Sequence, residues 1–97
     1  MLIVIGSARA LASHREDLAA AGREMAAASR DDDGCQAYGF YADLADENTM
    51  LSLEIWRDQE ALDAHMSHPH TQQFLTRVAG LIDGNPAMAF HEVRDSR

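Results

Sequence analysis

Apolar positions along the chain recur at two periods, and the periods predict its elements. Leu2 to Ile5 form an unbroken aliphatic run, which suits a central strand covered on both faces. Ser13 stands three residues before Glu16, the spacing of a capping box, and marks the expected start of a helix. Within "HREDLAAAGREMAAASR", Leu18, Ala21, Gly22, Met25, Ala28 and Ser29 follow helical spacing. That stripe is thin, so the helix should lie close to whatever it covers. "RDDDG" reads as a turn, and "CQAYGFYADL", with Tyr38, Phe40 and Tyr41, as a strand. After the polar turn "ADENT", the segment "MLSLEIW" alternates strictly. Leu51, Leu53 and Ile55 share one face, and Met50, Ser52, Glu54 and Trp56 the other. The two strands make an antiparallel hairpin.

Asp58 is placed to N-cap "QEALDAHM". Pro69 lacks an N–H and suits a first helical turn, so the helix should break and restart as "PHTQQFLTRVAGL". Gly80 and Gly84 end it, and "AMAFHEV" predicts a last strand near 87–93. The order βαββαβ is that of a ferredoxin-like α+β domain: an antiparallel sheet with helices on one face, one domain over residues 1–97. Its strands are apolar on both faces, and monomers rarely keep such a patch in water. A homodimer, sheet against sheet, is the expected remedy.

Composition narrows the partners. A chain of 97 residues with a net charge of -8 has eight scattered basic residues, so no nucleic-acid partner is expected. The single cysteine, Cys35, excludes an internal disulfide and a thiolate metal cluster, and reads as a small buried hydrophobe. The opening "MLIVIGSARA" has no basic flank, and no apolar segment is long enough to span a bilayer. No membrane partner is expected, and a soluble cytoplasmic protein is the default.

Three of the five histidines crowd into "EIWRDQEALDAHMSHPH". His65 follows Ala61 by four and Leu62 by three, which puts it on the inward stripe of its helix. It is either a core-edge histidine or a pocket residue. His70 precedes Phe74 by one turn and should also face inward, while His68 should cap the helix or remain solvated outside any pocket. Metal ligands on one helix want i, i+4 spacing; here a proline splits the set, and Asp63 and Glu60 point to other faces. No metal site is expected. Without a nucleotide fingerprint or a Ser-His-Asp pattern, no flavin or other cofactor is expected either. Trp56 is core, or an aromatic wall whose indole N–H could hold a substrate oxygen. Glu54 shares its face, so it is buried with a partner or lines a cavity.

Gly34-Cys35 followed by Tyr38, then Glu54-x-Trp56, His65, Pro69-His70 and Phe74, resembles the antibiotic biosynthesis monooxygenase domain family, which includes quinol monooxygenases. The likeness spans nearly the whole chain. It implies a dimeric α/β barrel that oxidises a quinol, phenolic or polyketide-like aromatic molecule with O₂ and without a cofactor. Trp56 and His65 take the places of the catalytic tryptophan and histidine. Ser52 stands where polyketide-oxidising members carry a substrate-holding asparagine, and Glu54, Tyr38, His70 and Phe74 complete the implied substrate site. Haem-degrading relatives carry an asparagine on the first strand, where this chain has Gly6-Ser7. A non-catalytic, dimeric quinone-binding module is the rival reading, and haem degradation a third.

Overall fold

A computed structural model describes residues 1–94. The elements are β1 (Leu2–Ala10), α1 (Arg15–Ser29), β2 (Cys35–Ala42), β3 (Thr49–Trp56), α2 (Gln59–Ser67), α3 (Pro69–Ala79) and β4 (Ile82–Glu92). The strands make one antiparallel sheet in the order β2-β3-β1-β4. This is the ferredoxin-like arrangement, with the second helix delivered in two pieces.

The break between α2 and α3 lies where Pro69 demands it. His68 is extended, with ψ of 145°, and Pro69 occupies the first turn of α3. Asp58 caps α2 as its position implies, its side chain accepting the Ala61 N–H at 2.9 Å. The capping box of α1 does not form. The helix begins one residue late for it, with His14 at the N-cap and no side-chain cap bond. His14 Nδ1 instead lies 3.1 Å from Asp17 Oδ2. The buried stripe takes in Ala26 rather than Ala28. It lies as close to the sheet as its small residues imply, since a Cβ on Gly22 would sit 3.1 Å from the Phe40 ring.

The last strand is longer than the apolar pattern predicts. Its polar start pairs Ile82 with Ala10 and Asp83 with Arg9, and the register then shifts between Ser7 and Arg9. Gly84, at φ +76°, supplies the backbone conformation beside this irregularity.

Leu2, Val4, Tyr38 and Trp56 on the covered face of the sheet meet Met25, Ala26, Ala61 and Leu62 of the helices in the core. The register stacks Ile3 beside Ile55, Ile5 beside Leu53 and Ser7 beside Leu51 on the other face. Among the described residues no helix covers that face, and Ile5 is 44% exposed. Beyond Ile82, β4 is exposed along its length. Among the described residues, no helix is long and apolar enough to cross a membrane.

Candidate functional site

A cavity of about 140 Å³ lies between the covered sheet face and the helices. Tyr38, Phe40, Ser52, Glu54, His65 and Phe74 line it, with methionines around them. Gly6 forms part of its floor, flanked in the sheet by Ser52 and Met88. A Cβ on Gly6 would collide with Ser52 Oγ and sit 2.9 Å from Met88 Sδ, so the missing side chain maintains this space.

His65 sits on the buried stripe of α2 and is 1% exposed. Its Nδ1 lies 2.7 Å from Oδ2 of Asp32, a residue of the turn between α1 and β2 whose own side chain is 8% exposed. The Thr71 hydroxyl is 3.4 Å from the same nitrogen. A carboxylate can only accept, so Nδ1 carries the ring proton and Nε2 keeps a lone pair. That second nitrogen has no protein partner among the described residues, on a ring that lines the cavity. Burial lowers the His65 pKa, and the Asp32 carboxylate only partly opposes it. The ring is therefore neutral near pH 7. Trp56 packs on it at a ring distance of 4.5 Å, and Tyr38 at 5.5 Å.

Trp56 does not line the cavity. It is fully buried behind it, and its indole N–H donates to Glu54 Oε1 at 2.9 Å. The donor that could have held a substrate oxygen is thus committed to Glu54. Burial pushes the Glu54 carboxyl up, against the lowering effect of that bond. Burial also raises the Tyr38 hydroxyl well above its usual range, and the Glu54 carboxylate adds to this. The cavity accordingly offers one neutral base beside groups biased toward holding protons.

Five of the residues singled out in the sequence therefore meet at the cavity: Tyr38, Ser52, Glu54, His65 and Phe74. His70 lies beyond it, with Nε2 3.0 Å from Asp32 Oδ2. His68 is 43% exposed, yet its Nε2 is 3.7 Å from Asp32 Oδ1 and its ring stacks on His70 at 5.2 Å. It caps nothing with its side chain; it edges the cluster. Asp63, a carboxylate near the histidines in sequence, accepts from Gln59 at the surface instead. Cys35 is half-buried; its thiol lies 3.6 Å from the Ala37 carbonyl, and burial pushes its pKa up. Asp32 is the residue that the sequence pattern misses. It is the middle of three turn aspartates, 33 residues from His65, and only the unmet need of a buried histidine for an acceptor hints at it. A larger groove of about 360 Å³ runs beside α1, but Arg15 and Arg30 there are tied to the carbonyls of Glu47 and Tyr38.

Comparison with known proteins adds the following. Residues 1–77 match the family model described as antibiotic biosynthesis monooxygenase. An uncharacterised protein of Synechocystis is 25% identical over 96 residues, covering 99% of this chain, which spans only 65% of that protein's length. YcnE of Bacillus subtilis, provisionally named a monooxygenase, is 28% identical over 68 residues, or 70% of this chain and 72% of its own. The crystal structure of a Deinococcus radiodurans protein, provisionally named an antibiotic biosynthesis monooxygenase, superposes with a TM-score of 0.93 at 26% identity, covering 100% of this chain and 96% of the other.

Proposed function

The chain belongs to the antibiotic biosynthesis monooxygenase family, and on that premise we propose that it oxidises an electron-rich phenol or quinol with O₂ and no redox cofactor of its own. One observation carries the proposal. His65 is held through Nδ1 by Asp32, its Nε2 has no protein partner among the described residues, and its ring lines a largely apolar cavity. A neutral imidazole so placed is a general base for a phenolic O–H.

For a phenol with a free ring C–H, the chemistry balances without an added reductant. His65 takes the phenolic proton, and the phenolate passes one electron to O₂. Superoxide and the aryloxyl radical combine at the ring carbon, and the imidazolium returns its proton to the peroxide. Loss of the C–H proton then expels hydroxide, and the two depart as water. One phenol and one O₂ become one quinone and one water, with all four electrons drawn from the substrate. The protein's contributions are the base, the orientation of the ring between Tyr38 and Phe74, and a site poor in water.

Size limits the substrate. An engineered apolar cavity of about 150 Å³ accepts a benzene, so this one accommodates a single ring. Further rings would extend past Met88, which lines the cavity and is 47% exposed. A second copy of the chain on the uncovered sheet face would bury Ile3, Ile5, Leu51, Leu53 and Ile55, and we assign the working unit as that homodimer.

The test is an oxygen electrode with a panel of one- to three-ring phenols and quinols, without flavin, metal or reductant. Oxygen uptake should match quinone formed, and His65→Ala should lower the rate by about a hundredfold or more, the usual weight of a general base. Binding of the same compounds with no oxygen uptake would instead establish the quinone-binding module.

A further inference from the structure

We propose that Asp32, His65 and His70 form a binding site for a divalent transition-metal ion of the zinc class, with His68 at its outer edge. The three donor atoms lie within 4.8 Å of one another. Asp32 Oδ2 is the hub, 2.7 Å from His65 Nδ1 and 3.0 Å from His70 Nε2. The donors come from three separate elements: the turn after α1, helix α2 and helix α3.

Sequence spacing argued against a metal because Pro69 splits the histidines. The structure reverses the meaning of that split. The break at His68 and Pro69 turns α3 so that His70, on a new helix, reaches the same oxygen as His65 on the old one. The carboxylate that the local sequence lacks arrives from Asp32. Two imidazole nitrogens and one carboxylate oxygen are a donor set of zinc's preferred type. Metal–ligand bonds of about 2.0–2.1 Å at tetrahedral angles separate neighbouring donors by about 3.3 Å. The two gaps to Asp32 Oδ2, 2.7 and 3.0 Å, need open by only a few tenths of an ångström, and the two imidazole nitrogens already lie within 4.8 Å of each other.

The cluster has a deep side and an outer side. Asp32 and His65 are buried, while the His70 and His68 side chains are 31% and 43% exposed. An ion therefore enters from solvent past His68, on the side away from the cavity. His68 Nε2, 3.7 Å from Asp32 Oδ1, is positioned to become a fourth ligand; otherwise that place belongs to water. The net charge of -8 favours cations near the chain.

Loading has a consequence for the neighbouring cavity, and this part rests on the oxidation proposed above. An ion on Nδ1 displaces the proton there, and a neutral ring must then carry its proton on Nε2. Nε2, on the ring that lines the cavity, changes from acceptor to donor, so the ion switches the base off without entering the cavity. It takes no part in the oxidation itself.

Binding is measurable whether or not the chain oxidises anything. Chelator-stripped protein is titrated calorimetrically with Zn²⁺, and with Co²⁺ as a visible-absorbing probe. One ion per chain should bind with micromolar affinity or better, with the intense visible bands of four-coordinate Co²⁺. Asp32→Asn and His70→Ala should each weaken binding by about tenfold or more, and His14→Ala, on a distant exposed residue, should not. Should Asp32→Asn fail to fold by circular dichroism, His70→Ala carries the test, since its ring is partly exposed. Absence of stoichiometric binding, or equal affinity in the folded variants and the unmodified chain, overturns the site. With an active quinol in hand, an undiminished rate at full zinc loading overturns the placement of the ion on Nδ1.

Discussion

Replacing Asp32 tests whether the pairing with His65 has a chemical purpose. Two variants divide the carboxylate's contribution. Asparagine can keep an oxygen where Oδ2 now meets His65 and His70, but it removes the charge. A hydrogen bond to a charged group is worth about 1.5–3 kcal/mol, and a neutral one about 1 kcal/mol. The difference, about 0.5–2 kcal/mol, corresponds to roughly a 2- to 30-fold fall in kcat/KM. Alanine removes the acceptor altogether. Nothing then favours the proton on Nδ1, and a loss of about 1.5–3 kcal/mol gives roughly a 10- to 150-fold fall. The assay is initial oxygen uptake against pH with a quinol that the unmodified chain oxidises. Asp32 raises the His65 pKa against the stronger effect of burial, so both variants should move the acid limb of kcat/KM to lower pH. A mere structural prop would lower the rate without moving that limb. If the folded alanine variant keeps more than half the activity with its limb unmoved, Asp32 does not position the base.

In the unmodified chain, the acid limb of kcat/KM should fall below about 6.5, the ordinary histidine value, because burial disfavours the charged ring; a limb above that value contradicts His65 as the base. Trp56→Phe should destabilise by about 2–4 kcal/mol in urea unfolding, from a lost bond to a buried carboxylate and a smaller buried ring. The loss should shrink near pH 4, where Glu54, its pKa raised by burial, is protonated and the bond no longer charge-assisted; an equal loss at both pH values would show that the charge does not matter. Light scattering at micromolar concentration should give a dimer, and Leu53→Glu on the uncovered face a monomer. A monomeric unmodified chain would remove that reading.

The features legible in the sequence are the local ones. Asp58 and Pro69 act through backbone groups a few residues away, and both do what their chemistry dictates. The alternation of "MLSLEIW" carries Ser52, Glu54 and Trp56 to one face, and the structure keeps Ser52 and Glu54 at the cavity. Three features were not legible. Ser13 has the right spacing for a cap, but α1 starts at Arg15, out of its reach. The early part of β4 is polar, and its strand form comes from the ladder with β1 rather than from its own residues. Asp32 becomes a partner of His65 only once the sheet has brought the end of α1 beside α2. The role of Trp56 shifted for a related reason: spacing shows which side a residue takes, not which neighbour consumes its N–H.

Gly6 separates two properties that evolution could otherwise change only together. The room above the sheet depends on a side chain that is missing from β1 and on how Ser52 and Met88 fill the space around it. The histidine and its carboxylate belong to α2 and a distant turn. Substitutions on the strands can enlarge, shrink or reshape the room while leaving that pair where it stands. On the oxidation proposed above, a lineage would drift from one aromatic compound to another by small steps on the sheet, each variant keeping its proton acceptor. Divergence in such a lineage would accumulate at positions 6, 52 and 88 sooner than at 32 and 65.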